Sequence, residues 1–183
     1  MAGTRRWGWH QLSAPFAEAL VAEAAIPRGS TVVDIGAGSG ALTAPLVRNG
    51  LRVVAVEAHR ERAAQLRATF RGTSVIVVQA DAAELRLPKM PYYVVANPPF
   101  AITAAVLRRL LQPGSRLVAA RIILQHQAAR RWVSPAAPAA ARWQRMFEAT
   151  LGRSVPRKAF SPPPPVDARV LVIERRQIHR DPG

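Results

Sequence analysis

Four short apolar runs, each ending in a polar or glycine-rich motif, constrain the fold of this chain most strongly. The first run, residues 31–35, leads into glycines at positions 36, 38 and 40. The next two runs end at Glu57 and Asp81, and the fourth leads into Asn97-Pro-Pro-Phe100. Because strands that alternate with helices form a parallel sheet covered on both faces, we predict an α/β, doubly wound fold. Its ligand should lie at the carboxyl ends of the strands, where all four motifs fall.

Hydrophobic periodicity and turn residues give the expected order of elements. We predict strands at residues 31–35, 52–57, 75–79, 92–96, 117–124 and 169–175, and helices at 12–26, 40–48, 59–70, 102–111 and 125–132. Residues 143–156 are ambiguous, although Phe147, Ala149 and Leu151 alternate as in a strand. The low-complexity residues 134–141 are predicted to be a surface loop. We expect a basic and aromatic arm at 1–11, one catalytic domain at 12–176 and a short tail at 177–183.

Length and composition exclude several classes of protein. A chain of 183 residues with 49% hydrophobic residues is long enough for one domain with a real core. Cysteine is absent and the four histidines are scattered, so we expect neither disulfides nor a metal site. No apolar stretch approaches the roughly 18 residues of a membrane span, and no secretory signal is visible. We therefore expect a cytoplasmic protein, most simply a monomer.

The distribution of charge indicates a polyanionic partner. The net charge is +15, and no acidic residue occurs between Leu85 and Phe147. A GC-rich genome can explain a bias toward arginine, but it does not explain the missing acids. Exposed cations release counterions when they bind phosphates, so nucleic acid is the favoured partner. The basic residues of this acid-free segment are Arg86, Lys89, Arg108, Arg109, Arg116, Arg121, Arg130, Arg131, Arg142 and Arg145.

The glycine turn and the acids that follow it are typical of a nucleoside cofactor. Glycines allow a tight strand-to-helix turn and a close approach of ligand to backbone. Glu57, at the end of the second strand, can accept both hydroxyls of a ribose, and Asp81 can accept from an adenine amine. The spacing G-x-G-x-G differs from the G-x-G-x-x-G of dinucleotide enzymes. It therefore favours S-adenosylmethionine over NAD.

Asn97-Pro98-Pro99-Phe100 is suited to methylation of an exocyclic amine. The lone pair of an adenine amine is delocalised into the ring, which makes the nitrogen a poor nucleophile. The Asn97 side-chain oxygen and the Pro98 carbonyl can bind its two hydrogens and support the charge that builds during attack. Phe100 offers a face on which the base can stack. The alternative is that the two prolines simply end a strand and Phe100 belongs to the core.

These motifs, in this order, resemble those of the ribosomal RNA adenine N6-methyltransferases, and most closely the Erm group that confers macrolide resistance. Residues 33–43 are similar to the family's cofactor loop, including its closing Ala-Leu-Thr. Leu124-Gln125, residues 155–160 and residues 163–167 are similar to landmarks of the Erm group that generic methyltransferases lack. The resemblance covers nearly the whole chain. It implies a Rossmann-like, class I methyltransferase that modifies an adenine of 23S ribosomal RNA near the macrolide site.

The resemblance also implies roles for individual residues. The family's N-terminal cofactor segment corresponds to residues 9–12, so alignment of Leu12 puts His10 at the cofactor. An ungapped count from Gly36 points instead to Trp9 and Gln11. The implied catalytic residues are Asn97, Pro98 and Phe100. The implied cofactor contacts are Gly36, Gly38, Gly40, Glu57, Asp81, Ala82, Asn97, His10 and Leu12.

Docking of RNA is expected to differ from that in longer relatives. The family usually carries a small helical domain after the last strand, whereas this chain ends at Gly183. We expect looser register on the RNA, so that neighbouring adenines are modified and a second methylation is inefficient. Because the target base is normally stacked, we also expect extrusion of the base, or a preference for naked or immature RNA. The expected RNA contacts are Arg5, Arg6, Arg108, Arg109, Arg130 and Arg131.

Three alternatives remain open. The first is an adenine methyltransferase that acts on small-subunit RNA or on DNA. The second is a protein-glutamine methylase, which shares Asn-Pro-Pro-aromatic but has little use for an acid-free basic region. The third is a non-catalytic RNA-binding or ribosome-assembly protein, which need not keep Asn97 or the glycine turn.

Overall fold

A seven-stranded, mostly parallel sheet organises the chain, whose computed structural model describes residues 10–82 and 84–177. The strands are β1 (Gln11–Leu12), β2 (Thr31–Ile35), β3 (Arg52–Glu57), β4 (Val75–Gln79), β5 (Tyr92–Ala96), β6 (Leu117–Gln125), β7 (Phe147–Val155), β8 (Phe160–Ser161) and β9 (Ala168–Arg175). The helices are α1 (Ala14–Ala24), α2 (Thr43–Arg48), α3 (Arg60–Thr69), α4 (Thr103–Leu110), α5 (His126–Trp132) and α6 (Ala140–Trp143). Single 3-10 turns occupy Phe100–Ile102 and Arg157–Ala159.

The order of the strands places the ends of β2, β3, β4 and β5 side by side. The sheet reads β4-β3-β2-β5-β6-β9-β7, with parallel pairing from β4 through β6. The strand β9 runs antiparallel to both β6 and β7. Parallel strands end at one edge, so the residues that follow β2, β3, β4 and β5 all meet at the carboxyl edge of the sheet. The predicted doubly wound α/β fold is confirmed.

The two larger hydrophobic clusters among the described residues cover the two faces of the sheet. Val32 and Val95 point to one face, where they pack with residues of α1 and α2. Their neighbours Val33 and Val94 point to the other face, where they pack with residues of α4, α5 and Trp143 of α6. Successive residues of a strand face opposite sides, so the continuous valine-rich runs bury both faces at once.

A two-stranded ribbon beside the main sheet was not predicted. The strand β1 pairs antiparallel with β8, in the register Gln11 to Ser161 and Leu12 to Phe160. Residues 10 and 11, which the sequence analysis places in the N-terminal arm, therefore contact the region just before the last strand. The ribbon begins next to residues 97–100, the predicted catalytic loop, because the Asn97 Nδ2 donates to the carbonyl of His10.

Several element boundaries differ from the prediction. The helix α2 begins at Thr43 rather than at residue 40, because Gly36, Gly38 and Gly40 all have positive φ and continue the turn. Residues 134–141 are more than a surface loop, since Ala137 is buried and the Pro138 carbonyl accepts a hydrogen bond from the Trp143 indole at 3.0 Å. The ambiguous residues 143–156 contain β7.

No helix in the described part of the chain combines the length and the apolar character that crossing a bilayer demands.

Candidate active site

The glycine turn after β2 and the Pro-Pro loop after β5 touch each other. Gly36 has φ +76°, and a Cβ placed there would lie 3.2 Å from the Pro98 Cα and 3.3 Å from the Pro99 Cδ. A side chain at this position would strain its backbone and press on a rigid loop. Gly36 is therefore required for the contact that brings the two motifs together.

One cavity, of about 190 Å³, opens on one side of Gly36. Its polar lining includes Glu57, the last residue of β3, and Asp81, which follows the neighbouring strand β4. Its apolar lining includes Ala82, Pro99 and Ile102. Acidic acceptors next to an apolar slot suit a nucleoside, whose ribose is polar and whose base is flat. Glu57, Asp81 and Ala82, which the sequence predicts as cofactor contacts, line this one cavity. Their contact with a cofactor stays a prediction.

Glu57 is held in place by backbone amides. Its carboxylate accepts hydrogen bonds from Gly38 N at 2.9 Å and from His59 N at 2.8 Å, and its exposed fraction is only 6%. The Arg62 guanidinium lies 3.9 Å from one carboxylate oxygen. A carboxylate has about four acceptor positions, so Glu57 keeps the capacity to accept two hydroxyl groups.

A second, smaller cavity of about 20 Å³ lies on the other side of Gly36 and is lined by residues that include His10, Leu12, Asp34 and Asn97. The Asp34 carboxyl is buried, and its Oδ2 accepts a hydrogen bond from the Thr43 hydroxyl at 2.6 Å. Its Oδ1 is buried without a hydrogen-bond partner among the described residues. Burial and the nearby Glu57 carboxylate raise the pKa of Asp34 to about 7. A buried acceptor without a partner is costly and suits a cationic or N–H-bearing ligand group.

The side-chain amide of Asn97 has a fixed orientation. Its Nδ2 donates a hydrogen bond to the His10 carbonyl at 2.8 Å. A carbonyl can only accept, so the nitrogen must point toward His10, and Oδ1 remains as the acceptor that a substrate can use.

The backbone carbonyls of residues 98–100 differ in whether they accept a hydrogen bond. The Pro99 carbonyl accepts from Ile102 N at 3.0 Å, and the Phe100 carbonyl accepts from the Thr103 hydroxyl at 2.9 Å. Within the described residues, no hydrogen bond uses the Pro98 carbonyl. Asn97 and Pro98 thus supply two adjacent acceptors on a rigid loop.

His10 supports the catalytic loop through both its backbone and its ring. The ring Nδ1 lies 2.8 Å from the Pro162 carbonyl, which requires the proton to be on Nδ1. The ring centroid is 6.1 Å from that of Phe100 and 6.5 Å from that of Phe160. His10 lines the smaller cavity, and its carbonyl is the hydrogen-bond acceptor for Asn97. Its predicted contact with a cofactor stays a prediction.

Gly38 and Gly40 are not among the residues that line either cavity. The Gly38 amide is taken by Glu57, as described above. A Cβ at Gly40 would lie 2.8 Å from the Phe70 ring, so this glycine allows α3 to pack against the turn. The sequence analysis did not assign site roles to Asp34, His59, Arg62, Pro99 and Ile102, although each lies within or directly beside a motif.

The acid-free segment does not form one basic face. Arg130 and Arg131 are exposed in the last turn of α5, which starts at the carboxyl edge. Arg108 and Arg109 lie at the far end of α4, about 12 Å along the helix axis from the catalytic loop. The Arg121 guanidinium is bound by Glu174 at 2.9 Å. Arg5 and Arg6 lie outside the described residues.

The far end of α4 borders a separate basic groove. A cavity of about 510 Å³ at the amino ends of β5 and β6 is lined by residues that include Arg86, Lys89, Arg109 and Arg116. Arg109 Nε donates to the Leu85 carbonyl at 3.1 Å, which fixes the guanidinium beside the groove. The basic residues therefore divide between the two edges of the sheet.

Nothing in the described ranges groups three or more histidine or acidic side chains in a way that could hold a metal ion.

Comparison with known proteins agrees with this arrangement. A family model described as ribosomal RNA adenine dimethylase matches residues 13–182. An rRNA adenine N-6-methyltransferase of Corynebacterium diphtheriae is 39% identical over 146 residues, which cover 79% of this chain and 57% of that protein. Mycinamicin-resistance protein MyrB of Micromonospora griseorubida is 38% identical over 149 residues, which cover 79% of this chain and 47% of that protein.

A solved structure with the same architecture is that of the 23S rRNA methyltransferase ErmE. It matches with a TM-score of 0.81 and 25% sequence identity, over 92% of this chain and 70% of that one. The chain spans about half the length of the curated relatives it matches, 57% and 47% for the two proteins above.

Proposed function

The chain belongs to the ribosomal RNA adenine dimethylase family, and from this premise we propose that it methylates N6 of an adenine in 23S ribosomal RNA near the macrolide site. The methyl donor in this proposal is S-adenosylmethionine, and the physiological result is resistance to macrolide antibiotics. The names of the relatives support it, since they include an rRNA adenine N-6-methyltransferase, a mycinamicin-resistance protein and a 23S rRNA methyltransferase.

The observation that carries the proposal is the fixed amide of Asn97. Because Nδ2 donates to the His10 carbonyl, Oδ1 is oriented to accept one hydrogen of an adenine amine. The Pro98 carbonyl offers the second acceptor. Two acceptors draw the nitrogen toward tetrahedral geometry and stabilise the positive charge that it gains during attack. No strong base is needed first, since the product ammonium can lose its proton afterward.

The residues around Gly36 fit the proposed cofactor. Glu57 would accept the ribose hydroxyls, Asp81 the adenine amine, and Ala82 with Ile102 would enclose the adenine ring. The buried Asp34 Oδ1, which lacks a partner among the described residues, fits a donor group at the amino acid end of the cofactor. S-adenosylmethionine would supply an electrophilic methyl group on a sulfonium. Phe100 is half-buried, and the exposed part of its ring would stack against the target base or contact that cation.

The proposed substrate is naked or immature large-subunit RNA, bound by a monomer. A base inside a folded ribosome is stacked and covered, and it must be extruded before the amine can reach Asn97. The exposed Arg130 and Arg131 on α5 would bind phosphates at the same edge of the sheet. Arg108 and Arg109 would reach RNA farther from the target.

The proposal is tested by mapping the methyl groups. Deproteinised large-subunit and small-subunit RNA are incubated separately with the protein and labelled S-adenosylmethionine, and modified positions are found by primer extension and mass spectrometry. We expect label on an adenine of the large-subunit RNA, and reduced macrolide susceptibility in cells that express the protein.

Other outcomes would identify the alternatives. Label confined to small-subunit RNA would replace the proposed substrate with the other ribosomal subunit. Absence of label on any RNA, together with measurable binding of RNA and no binding of cofactor in calorimetry, would indicate an RNA-binding protein instead of an enzyme.

A further inference from the structure

A cavity outside the cofactor crevice has no role in the function proposed above. It measures about 530 Å³ and lies at the carboxyl edge of the sheet, where β6 and β7 end and β9 begins. We call it the flanking pocket. Its polar lining residues are Gln125, His126, Gln127, Ser154 and Asp167. The size is within the range of pockets that bind small molecules or single nucleotides.

The polar side chains of the flanking pocket are exposed or half-buried. In residues 10–82 and 84–177, none of the five makes a side-chain hydrogen bond or ion pair. The backbone around them is fixed, because His126 N donates to the Asp167 carbonyl at 3.0 Å and Gln125 pairs with Ala168 in the sheet. A rigid frame that directs several unused donors and acceptors into one pocket is typical of a binding site.

The flanking pocket is close to the catalytic loop. The strands β5 and β6 are parallel, with Ala96 opposite Ile122. Gln125 lies three residues beyond Ile122, which places its Cα about 11 Å from that of Ala96. The wall of the pocket that contains Pro156 leads within four residues to Phe160, whose ring contacts His10. A nucleotide adjacent to a base held at Asn97 could therefore reach the pocket.

We infer that the flanking pocket binds the base next to the target adenine in the RNA, and that it selects guanine. The inference rests on the proposed function, because it assumes that an RNA adenine is held at Asn97. A carboxylate only accepts hydrogen bonds, and guanine offers two adjacent donors, N1–H and the N2 amine, on its pairing edge. The amides of Gln125 and Gln127 can donate to its O6. Asp167 also makes the pocket unfavourable for a phosphate, so a base edge fits better than the RNA backbone.

The test measures base preference in binding and in turnover. Short RNA hairpins carry the target adenine with each of the four bases at the preceding or the following position. Binding is followed by fluorescence anisotropy and methylation by kcat/KM. We expect the wild-type protein to prefer guanine at one of the two positions by about tenfold, at the lower end of what a bidentate base contact gives. Asp167→Asn should reduce this preference to about twofold, and Gln125→Ala should reduce it by a smaller factor.

A matched control is Gln65→Ala, which removes an exposed amide from α3, away from the pocket. It should retain the full preference for guanine. Thermal unfolding of each variant shows whether the fold is intact, and Gln127→Ala replaces any variant that does not fold.

Failure of this inference is distinct from failure of the proposed function. Equal binding of the four bases by the wild-type protein, or an unchanged preference in Asp167→Asn, would overturn the inferred role of the flanking pocket even if methylation is normal. If the wild-type protein methylates no RNA, the proposed function is wrong. The binding measurements by anisotropy then test the inference without turnover. Loss of the guanine preference in Asp167→Asn would still support the binding of a guanine in the flanking pocket.

Discussion

The two halves of the carboxyl edge are built differently. In the cofactor half, around the ends of β2, β3 and β4 where we propose that the cofactor binds, the acids of β2 and β3 are buried: Glu57 accepts from two backbone amides and Asp34 is enclosed. In the RNA half, at the end of β6 and along α5 where we propose that RNA binds, amides and arginines face the surface. A small ligand is bound by groups that are positioned in advance, whereas a polyanion is bound by accessible cations that release counterions. Substitutions in the cofactor half should therefore change the affinity for the cofactor, and substitutions in the RNA half should change the affinity for RNA.

The largest effect is expected at Asn97, which lies between the two halves. Asn97→Ala removes one of the two proposed acceptors for the amine while leaving Glu57 and Asp81 in place. We expect kcat to fall by roughly 10²–10³-fold, as when one polar group of a preorganised site is lost. The affinity for S-adenosylmethionine should change by less than about threefold. Single-turnover methylation and calorimetry measure the two quantities separately.

Asn49→Ala is the matched control for that variant. The Asn49 amide also donates to a backbone carbonyl, that of Pro45 at 2.8 Å, but it lies far from the catalytic loop. Its turnover should equal that of the wild-type protein. If Asn97→Ala retained more than about a tenth of the wild-type rate, the role assigned to its Oδ1 would be wrong.

At Glu57 we expect the opposite result, in which the affinity for the cofactor falls and kcat is largely retained. Glu57→Gln replaces an oxygen that faces a backbone N–H with an amide nitrogen, and it removes the charge that binds hydroxyl groups. We expect the Kd for S-adenosylmethionine to rise by roughly 10–100-fold, since hydrogen bonds to charged groups contribute about 1.5–3 kcal/mol. At saturating cofactor kcat should recover most of its value. Glu61→Gln, on the exposed face of α3, is the control. An equal loss of affinity in both variants would mean that Glu57 does not contact the cofactor.

A smaller effect is expected from the ionisation of Asp34. Its pKa is raised by burial from an ordinary 3.8 to about 7, so between these values the folded protein holds a proton that the unfolded chain has released. The contribution of this group to stability is therefore present at low pH and is lost as pH rises through 7. Between pH 6 and pH 8 the loss should be on the order of 1 kcal/mol.

Comparison with Asp34→Asn isolates that contribution. The free energy of unfolding, measured in denaturant at both pH values, should fall more for the wild-type protein than for the variant, which cannot ionise at this position. Identical pH dependence in the two proteins would mean that the Asp34 carboxyl titrates at its ordinary value. Cofactor should stabilise the wild-type protein more at pH 8 than at pH 6, because the ionised carboxylate is then available to it.

The cofactor half was more predictable from sequence than the RNA half. The strands β2, β3, β4 and β5 have the predicted bounds, because short apolar runs are local signals and each is followed by its motif. The role of the His10 carbonyl was not predictable. It depends on the pairing of β1 with β8, which joins residues about 150 positions apart through two-residue strands without periodicity. The packing role of Gly40 likewise depends on Phe70, thirty residues later.

The placement of arginines was the least predictable feature. An acid-free segment in the sequence suggests one basic face, but α4 carries Arg109 to the amino edge of the sheet, while α5 keeps Arg131 near the carboxyl edge. Exposed side chains contribute no apolar pattern, so only the direction of each helix decides which edge they reach.

The smallest effect, and the one that separates position from net charge, is expected at Arg131. Arg131→Ala should leave kcat unchanged and weaken RNA binding. The slope of log affinity against log salt concentration should become less steep by about 0.7, the value for one phosphate contact on single-stranded nucleic acid. Arg67→Ala removes the same charge from an exposed position on α3, in the cofactor half, and should leave the slope unchanged. Equal slopes in the two variants would mean that RNA responds to the total charge of the protein, and the assignment of α5 to the RNA half would then have no support.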